Sequence, residues 1–330
     1  MKTVGIIGTP HSGKSTLFTA LTRTGSTGGR SNQAVVDVPD GRLDVLSRIE
    51  RSKRIVPAKV RFVDVPGGLS ARGLAEHRQS DALCVVVRCF GADADPAREL
   101  ASVQAELVLA DLASVESGLS KAAKKAKGSR DTAPELETLE EVRRTLESEQ
   151  PLASARLDSE TLKLVKGYGL LTLKPWIVVA NVEEDDVTTG PARLGLGDDA
   201  IVLSAALEAE VASLPREDAA ELLEGFGIKE AGLNRVIEAC YRGLDLITFL
   251  TTGEDESRAW EVPRGARAPE AAGVIHSDLE RGFIRAEVVS YDELVASGSW
   301  DAAKKSGLLR VEGKDYPVRE GDVIHVRFAV

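Results

Sequence analysis

The stretch Gly8-Thr9-Pro10-His11-Ser12-Gly13-Lys14-Ser15 fills the pattern G-x-x-x-x-G-K-[ST] without a mismatch. Each part of that pattern has a chemical task. Glycines let backbone N–H groups close around an anion, the first turn of a following helix adds positive dipole, a lysine reaches the β- and γ-phosphates, and a serine hydroxyl can ligate Mg²⁺. Lys14 and Ser15 stand in the last two places, with Thr16 next in line. A chance match in a glycine-rich turn is the alternative, and the flanks argue against it. The apolar, partly β-branched run 3–7 predicts a buried strand, and 15–21 predicts the start of a helix. Strand, loop and helix in that order imply a site for a nucleoside triphosphate, with Pro10, His11, Ser12, Gly13, Lys14, Ser15 and Thr16 around the phosphates.

The elements that must position this loop can be read from five short apolar runs, 3–7, 59–63, 83–87, 176–180 and 201–203. Their rhythm predicts an α/β fold with a doubly wound, mostly parallel sheet, in which ligands bind at the carboxyl ends of strands. Candidate motifs fall at those ends. Asp64-Val65-Pro66-Gly67 follows the second run, with Asp64 placed to hold Mg²⁺, usually through water, and the Gly67 N–H placed to sense a γ-phosphate. Read alone, Asp-x-Pro-Gly is an ordinary turn; its place after a phosphate loop favours the functional reading. Lys14, Asp64 and Gly67 are the candidate catalytic residues, and Ser15 and Asp64 the candidate metal ligands.

Asn181-Val182-Glu183-Glu184 follows the fourth run and Ser204-Ala205-Ala206 the fifth, the positions of base-recognition loops. A guanine-specific N-K-x-D loop pairs its aspartate with guanine N1 and N2, a pairing adenine cannot offer. Here Val182 replaces the lysine and Glu184 the aspartate, and the extra methylene displaces the carboxylate by about 1.5 Å. ATP is therefore expected to bind better than GTP. The competing reading is that 183–186 is a solvated acidic loop.

Composition sets the surroundings. A chain of 330 residues exceeds one hydrophobic core, so two or three domains are expected. Net charge −10 argues against broad nucleic-acid binding, and no DNA partner is expected. Cys84, Cys89 and Cys240 lack C-x-x-C spacing and read as reduced thiols. With no signal sequence and no apolar run of membrane-spanning length, the cytoplasm is expected. Between the third and fourth runs, Leu100, Val103, Leu107, Leu112, Val115 and Leu119 recur at helical steps, as do Leu136, Leu139, Val142 and Leu146. They predict an antiparallel helical hairpin over 96–166. Its tip, 121–130, carries Lys121, Lys124, Lys125, Lys127 and Arg130, either as a solvated loop or as a contact for RNA phosphates. From residue 248 onward the pattern predicts a compact α+β domain, with 258–262 as its first strand, further strands at 284–290, 308–312 and 323–328, and helices at 269–276 and 291–297. His276 and His325 have no metal-ligand spacing.

The whole sequence resembles the YchF subfamily of Obg-related P-loop NTPases. The resemblance is carried by Phe62-Val63-Asp64, Val87-Arg88-Cys89-Phe90, Leu109-Ala110-Asp111-Leu112, Ala180-Asn181-Val182 and Leu207-Glu208-Ala209-Glu210. Most specific are Ala272-Gly273-Val274-Ile275-His276, the run from Glu280-Arg281-Gly282-Phe283 to Val288, and Gly321-Asp322-Val323. It implies a G domain at 1–95 and 167–247, an inserted coiled-coil hairpin at 96–166, and a TGS-type β-grasp domain at 248–330. It also implies an ATP-preferring hydrolase that associates with ribosomes. The chain departs from the family pattern in three places. A short Gly/Ser-rich link, 25–32, replaces a longer segment with a Mg²⁺-binding threonine; His11 stands where asparagine is usual, at a position suited to a monovalent cation; and 68–73 is a shortened second switch. As in the family, no glutamine follows Gly67 to orient water; the short switches assign no residue to that task, and His77 is a candidate. The implied function is a slow Mg²⁺-dependent ATPase switch; the alternatives are a nucleotide-binding, ribosome-docking scaffold with negligible hydrolysis, and a GTPase.

Overall fold

The structure, a computed structural model, describes residues 1–22, 32–126, 133–155 and 157–329. The chain runs β1 (Thr3–Ile7), α1 (Lys14–Thr22), β2 (Asn32–Asp37), α2 (Gly41–Glu50), β3 (Ile55–Val56), β4 (Lys59–Asp64), α3 (Ala71–His77) and β5 (Ala82–Arg88). It continues through α4 (Pro96–Ala126), α5 (Ala133–Glu147), α6 (Ser159–Val165), β6 (Trp176–Asn181), β7 (Ile201–Leu203), α7 (Ala205–Ser213), α8 (Arg216–Gly225) and α9 (Gly232–Gly243). The last part holds β8 (Leu246–Thr251), β9 (Ser257–Pro263), α10 (Ala268–Ile275), α11 (Ser277–Arg281), β10 (Phe283–Ser290), α12 (Tyr291–Ser297), α13 (Trp300–Lys305), β11 (Arg310–Glu312) and β12 (Asp322–Phe328). Two compact units result, one of 1–36 and 61–240, the other of 37–60 and 241–330. The span 37–60 therefore packs with the C-terminal residues, whereas the sequence reading placed it with the phosphate loop.

The first sheet has the order β2-β4-β1-β5-β6-β7. β1 pairs in parallel with β4 and β5, and the parallel ladder continues through β6 to β7. Strands covered on both faces must be apolar throughout, which is why Ala82–Arg88 reads as an unbroken run and is buried up to Val87. In register, Ile6 lies beside Asp64 and Arg88 beside Asn181, so the loops leaving β1, β4, β5 and β6 emerge at one edge. The edge strand β2 lies outside the five expected runs; only two of its six residues are buried, and its weak apolar content gives no signal.

The helical insertion folds as its spacing predicts. α4 is 31 residues long, roughly 45 Å at 1.5 Å per residue. Val108, Val115 and Ala122 of α4 form a buried cluster with Leu139, Val142 and Leu146 of α5, which packs back along it. Lys121, Lys124 and Lys125 are exposed on the last turns of α4, while Lys127 and Arg130 lie outside the described residues.

In the second unit the sheet order is β11-β10-β12-β8-β9-β3, mostly antiparallel, with β12–β8 and β3–β9 parallel. Its core joins Ile247, Phe249, Val262, Phe283, Val288 and Ile324 with the small residues of α10. Within the segment 241–330 the first strand is β8, ahead of the expected one at 258–262, which forms as β9. Asp40 caps α2 through the Arg42 N–H, and Leu43 and Leu46 of that helix are buried. Ser52 donates to the Gly253 carbonyl at 2.7 Å, and Arg42 meets Glu320 at 2.6 Å, fastening 37–60 into this unit.

Candidate functional site

The phosphate loop is shaped by positions that demand unusual backbone. His11 has φ 62°, in the left-handed region where asparagine and histidine are among the more tolerated side chains. Gly8 has φ 156° and Gly13 has φ 94°. A Cβ on Gly8 would collide with the Val86 carbonyl, and one on Gly13 with the Asn181 amide, so both glycines are required by close approach. Ser12 is fully buried, its hydroxyl without a partner, while Pro10, His11, Ser15 and Thr16 are exposed.

Lys14 folds back over the loop, its Nζ donating to the Thr9 carbonyl at 2.6 Å. Burial lowers its pKa, and the carboxylates of Asp64 and Glu99 pull the other way. Ser15 Oγ lies 3.1 Å from Asp64 Oδ2. Asp64 is almost wholly buried at the end of β4, so a hydroxyl from the first turn of α1 and a carboxylate from a strand end share one point beside Lys14. This donor pair suits a hard cation that shares its ligands with phosphate oxygens. Beyond it, Gly67 has φ 79° and turns the chain into α3, whose first turn is capped by Ser70. A Cβ on Gly68 would rest 3.4 Å from Lys14 Cε and from the Gly8 carbonyl, which places the Gly67-Gly68 turn directly against the lysine.

The base loops close the other side. Asn181 is buried; its Nδ2 donates to the Ser12 carbonyl at 3.0 Å and its Oδ1 accepts from the Ala205 N–H at 2.8 Å. It therefore ties the phosphate loop to the turn after β7. Val182 is buried in the core between sheet and α4, offering no lysine stem to a base. Glu183, Glu184, Asp185 and Asp186 are all exposed. Ser204 caps α7 by accepting from the Leu207 N–H, Ala205 is buried, and Ala206 is exposed.

His77 is a correction. A candidate for orienting water must reach the loops, but this ring is fully buried, packed under Gly5 of β1 and beside Ser80, with neither ring nitrogen hydrogen-bonded. Its place on the inward face of α3, one turn after buried Leu74, removes it from the loops. Sequence reasoning also missed Thr9, Arg88 and Glu99. Glu99 accepts the Thr9 hydroxyl and faces Arg88 Nε at 3.3 Å. Cys84 and Cys240 are buried, and burial pushes the half-buried Cys89 thiol up to about 12, which disfavours its thiolate.

A family described as "50S ribosome-binding GTPase" matches residues 3–115, and the family YchF-GTPase_C, described as a protein of unknown function, matches 246–329. The "Ribosome-binding ATPase YchF" of Haemophilus ducreyi is 43% identical over 99% of both chains. Those of Bacillus subtilis and Escherichia coli O157:H7 are 41% and 38% identical, again over 99% of both. The solved structure of the Schizosaccharomyces pombe YchF GTPase superposes with TM-score 0.87 at 28% identity, covering 99% of this chain and 97% of that one. These relatives match the chain over almost its whole length, and the chain belongs to the YchF family.

Proposed function

We propose that this protein is a slow, Mg²⁺-dependent P-loop ATPase that acts as a ribosome-associated switch in the cytoplasm. The observation that carries the reading is the meeting of Ser15 and Asp64 at 3.1 Å beside Lys14, in a loop with both strained glycines in place. Mg²⁺ would be held by those two side chains and would offset charge between the β- and γ-phosphates. Lys14 would leave the Thr9 carbonyl for the phosphate oxygens, and the loop N–H groups from His11 to Thr16 would cradle the chain of phosphates. The Gly67 N–H would face the γ-phosphate, so that loss of that group releases the turn and α3. Adenine is favoured because Val182 is buried and Glu184 points to solvent, leaving no guanine-specific pair. Relatives named ribosome-binding support a ribosomal partner. The exposed Lys121, Lys124 and Lys125, and a C-terminal domain read as TGS-type, are the surfaces proposed for it.

The test is nucleotide titration and single-turnover hydrolysis with purified protein. ATP should bind in a Mg²⁺-dependent way and be hydrolysed slowly, and Lys14→Ala should lose most affinity while keeping its circular dichroism spectrum. Equal ATP affinity in wild type and Lys14→Ala would sink the assignment. The burial of His77 favours one second reading, a nucleotide-binding scaffold without turnover. Tight ATP binding with no phosphate released in a single turnover would decide for it.

A further inference from the structure

Glu99 sits in the first turn of α4, 90 residues along the chain from Thr9, yet its carboxylate is built into the phosphate loop. One oxygen accepts the hydrogen of the Thr9 hydroxyl, and the other faces Arg88 Nε at 3.3 Å. Arg88 is itself held by Asp93 at 3.1 Å. Thr9 in turn presents the carbonyl that holds the Lys14 ammonium at 2.6 Å. A continuous line of contacts therefore runs from the end of β5, through the start of α4, to the lysine. The rest of the loop has other restraints: Gly8 is pressed against Val86, and the Ser12 carbonyl is held by Asn181. Among the described residues, both side-chain hydrogen bonds within 9–11 fall on Thr9: the Lys14 ammonium on its carbonyl, which a bound phosphate would draw away, and its own hydroxyl on Glu99.

We propose that Glu99 is a positioning residue of the phosphate loop, holding Thr9 so that the 9–11 peptide is already in the shape that receives a triphosphate. This rests on the nucleotide-binding reading above. A tethered loop meets its ligand without first losing conformational freedom, and that saving is expressed as affinity. The carboxylate positions the 9–11 peptide through its hydrogen bond to Thr9; its charge is paired with Arg88, and its remaining pull on Lys14 is what Glu99→Gln removes. The same contact anchors the phosphate loop to the helix that carries the basic hairpin tip.

Three variants separate these possibilities. Thr9→Val keeps the shape and removes the hydroxyl; Glu99→Ala removes the acceptor; Glu99→Gln keeps an acceptor oxygen and removes the charge. ATP affinity measured by calorimetry should fall about tenfold in Thr9→Val and in Glu99→Ala, the scale of one hydrogen bond. It should stay near wild type in Glu99→Gln, and the Thr9→Val/Glu99→Ala double variant should be no weaker than either single one. A purely structural anchor would lower the thermal midpoint of the nucleotide-free protein and leave ATP affinity unchanged, which would overturn the proposal. Glu99→Gln as weak as Glu99→Ala, beside a normal Thr9→Val, would overturn it in favour of charge. A wild type that binds no ATP removes the nucleotide reading and this inference with it, an outcome distinct from a binding wild type whose variants match it.

Discussion

Arg78 and Asp111 are joined by an ion pair of 2.8 Å in which the carboxylate is completely buried. Arg78 caps the end of α3, and Asp111 lies midway along α4. The same carboxylate accepts from the Leu171 N–H at 3.0 Å and from the Thr172 N–H and hydroxyl at 2.8 Å, while Arg78 also donates to the carbonyls of Ala110 and Gly169. Removing one partner of such a group strands a cation and three donors. Asp111→Ala is expected to cost about 3–5 kcal/mol of unfolding free energy in urea titration. A loss below about 1 kcal/mol, the range of an exposed pair, would mean water compensates the site.

The burial of His77 has a pH signature. Burial lowers its pKa from 6.5 to about 4, so the folded protein keeps the ring neutral where the unfolded chain would protonate it. The stabilisation this gives is complete above about pH 6.5 and is lost as pH falls from 6.5 towards 4, with a slope approaching about 1.4 kcal/mol per pH unit. His77→Phe should flatten that part of the curve relative to wild type without altering hydrolysis at neutral pH. Matched slopes in the two proteins between pH 6.5 and 4 would contradict the buried neutral ring.

Base preference tests the loop after β6. With Val182 buried and Glu184 exposed, ATP should displace a labelled ATP analogue at lower concentration than GTP does. The margin expected for an unpaired polar group is about 1–3 kcal/mol. Shortening the carboxylate by Glu184→Asp, with buried Val182 kept, should narrow it. GTP winning in the wild type would refute the argument.

Lys121, Lys124 and Lys125 project from the end of α4 in a chain of net charge −10. If they meet ribosomal RNA, association should weaken with added salt as counterions are released. The triple glutamate variant should lose co-sedimentation with ribosomes and keep its ATP affinity. Unchanged binding by the folded variant would direct attention to the C-terminal sheet.

The parallel strands were legible because burial on both faces forces continuous apolar runs, and the site motifs because they fall at successive strand ends. Asp64, Gly67 and Asn181 came from that order. Glu99 did not, since nothing local marks a carboxylate whose partner is 90 residues away. His77 was misread from residue type alone, although Leu74 and His77, three apart, already define the buried face of α3. β8 escaped notice because it follows α9 after a very short turn, in which Asp245 adopts φ 53°.

The division of the C-terminal unit between 37–60 and 241–330 bears on the timing of synthesis. α2 leaves the ribosome early, with Leu43 and Leu46 on the face it must bury, but β9 and α12, against which it packs, are made much later. At 5–20 residues per second, the ~200 residues separating α2 from β8 correspond to a wait of about 10–40 s. During that interval a nascent amphipathic helix has no native partner, and chaperones or neighbouring chains compete for it. A fragment cut at residue 246 to isolate the last unit would lack α2 and β3 altogether, and is expected to emerge with one sheet edge and one apolar face uncovered.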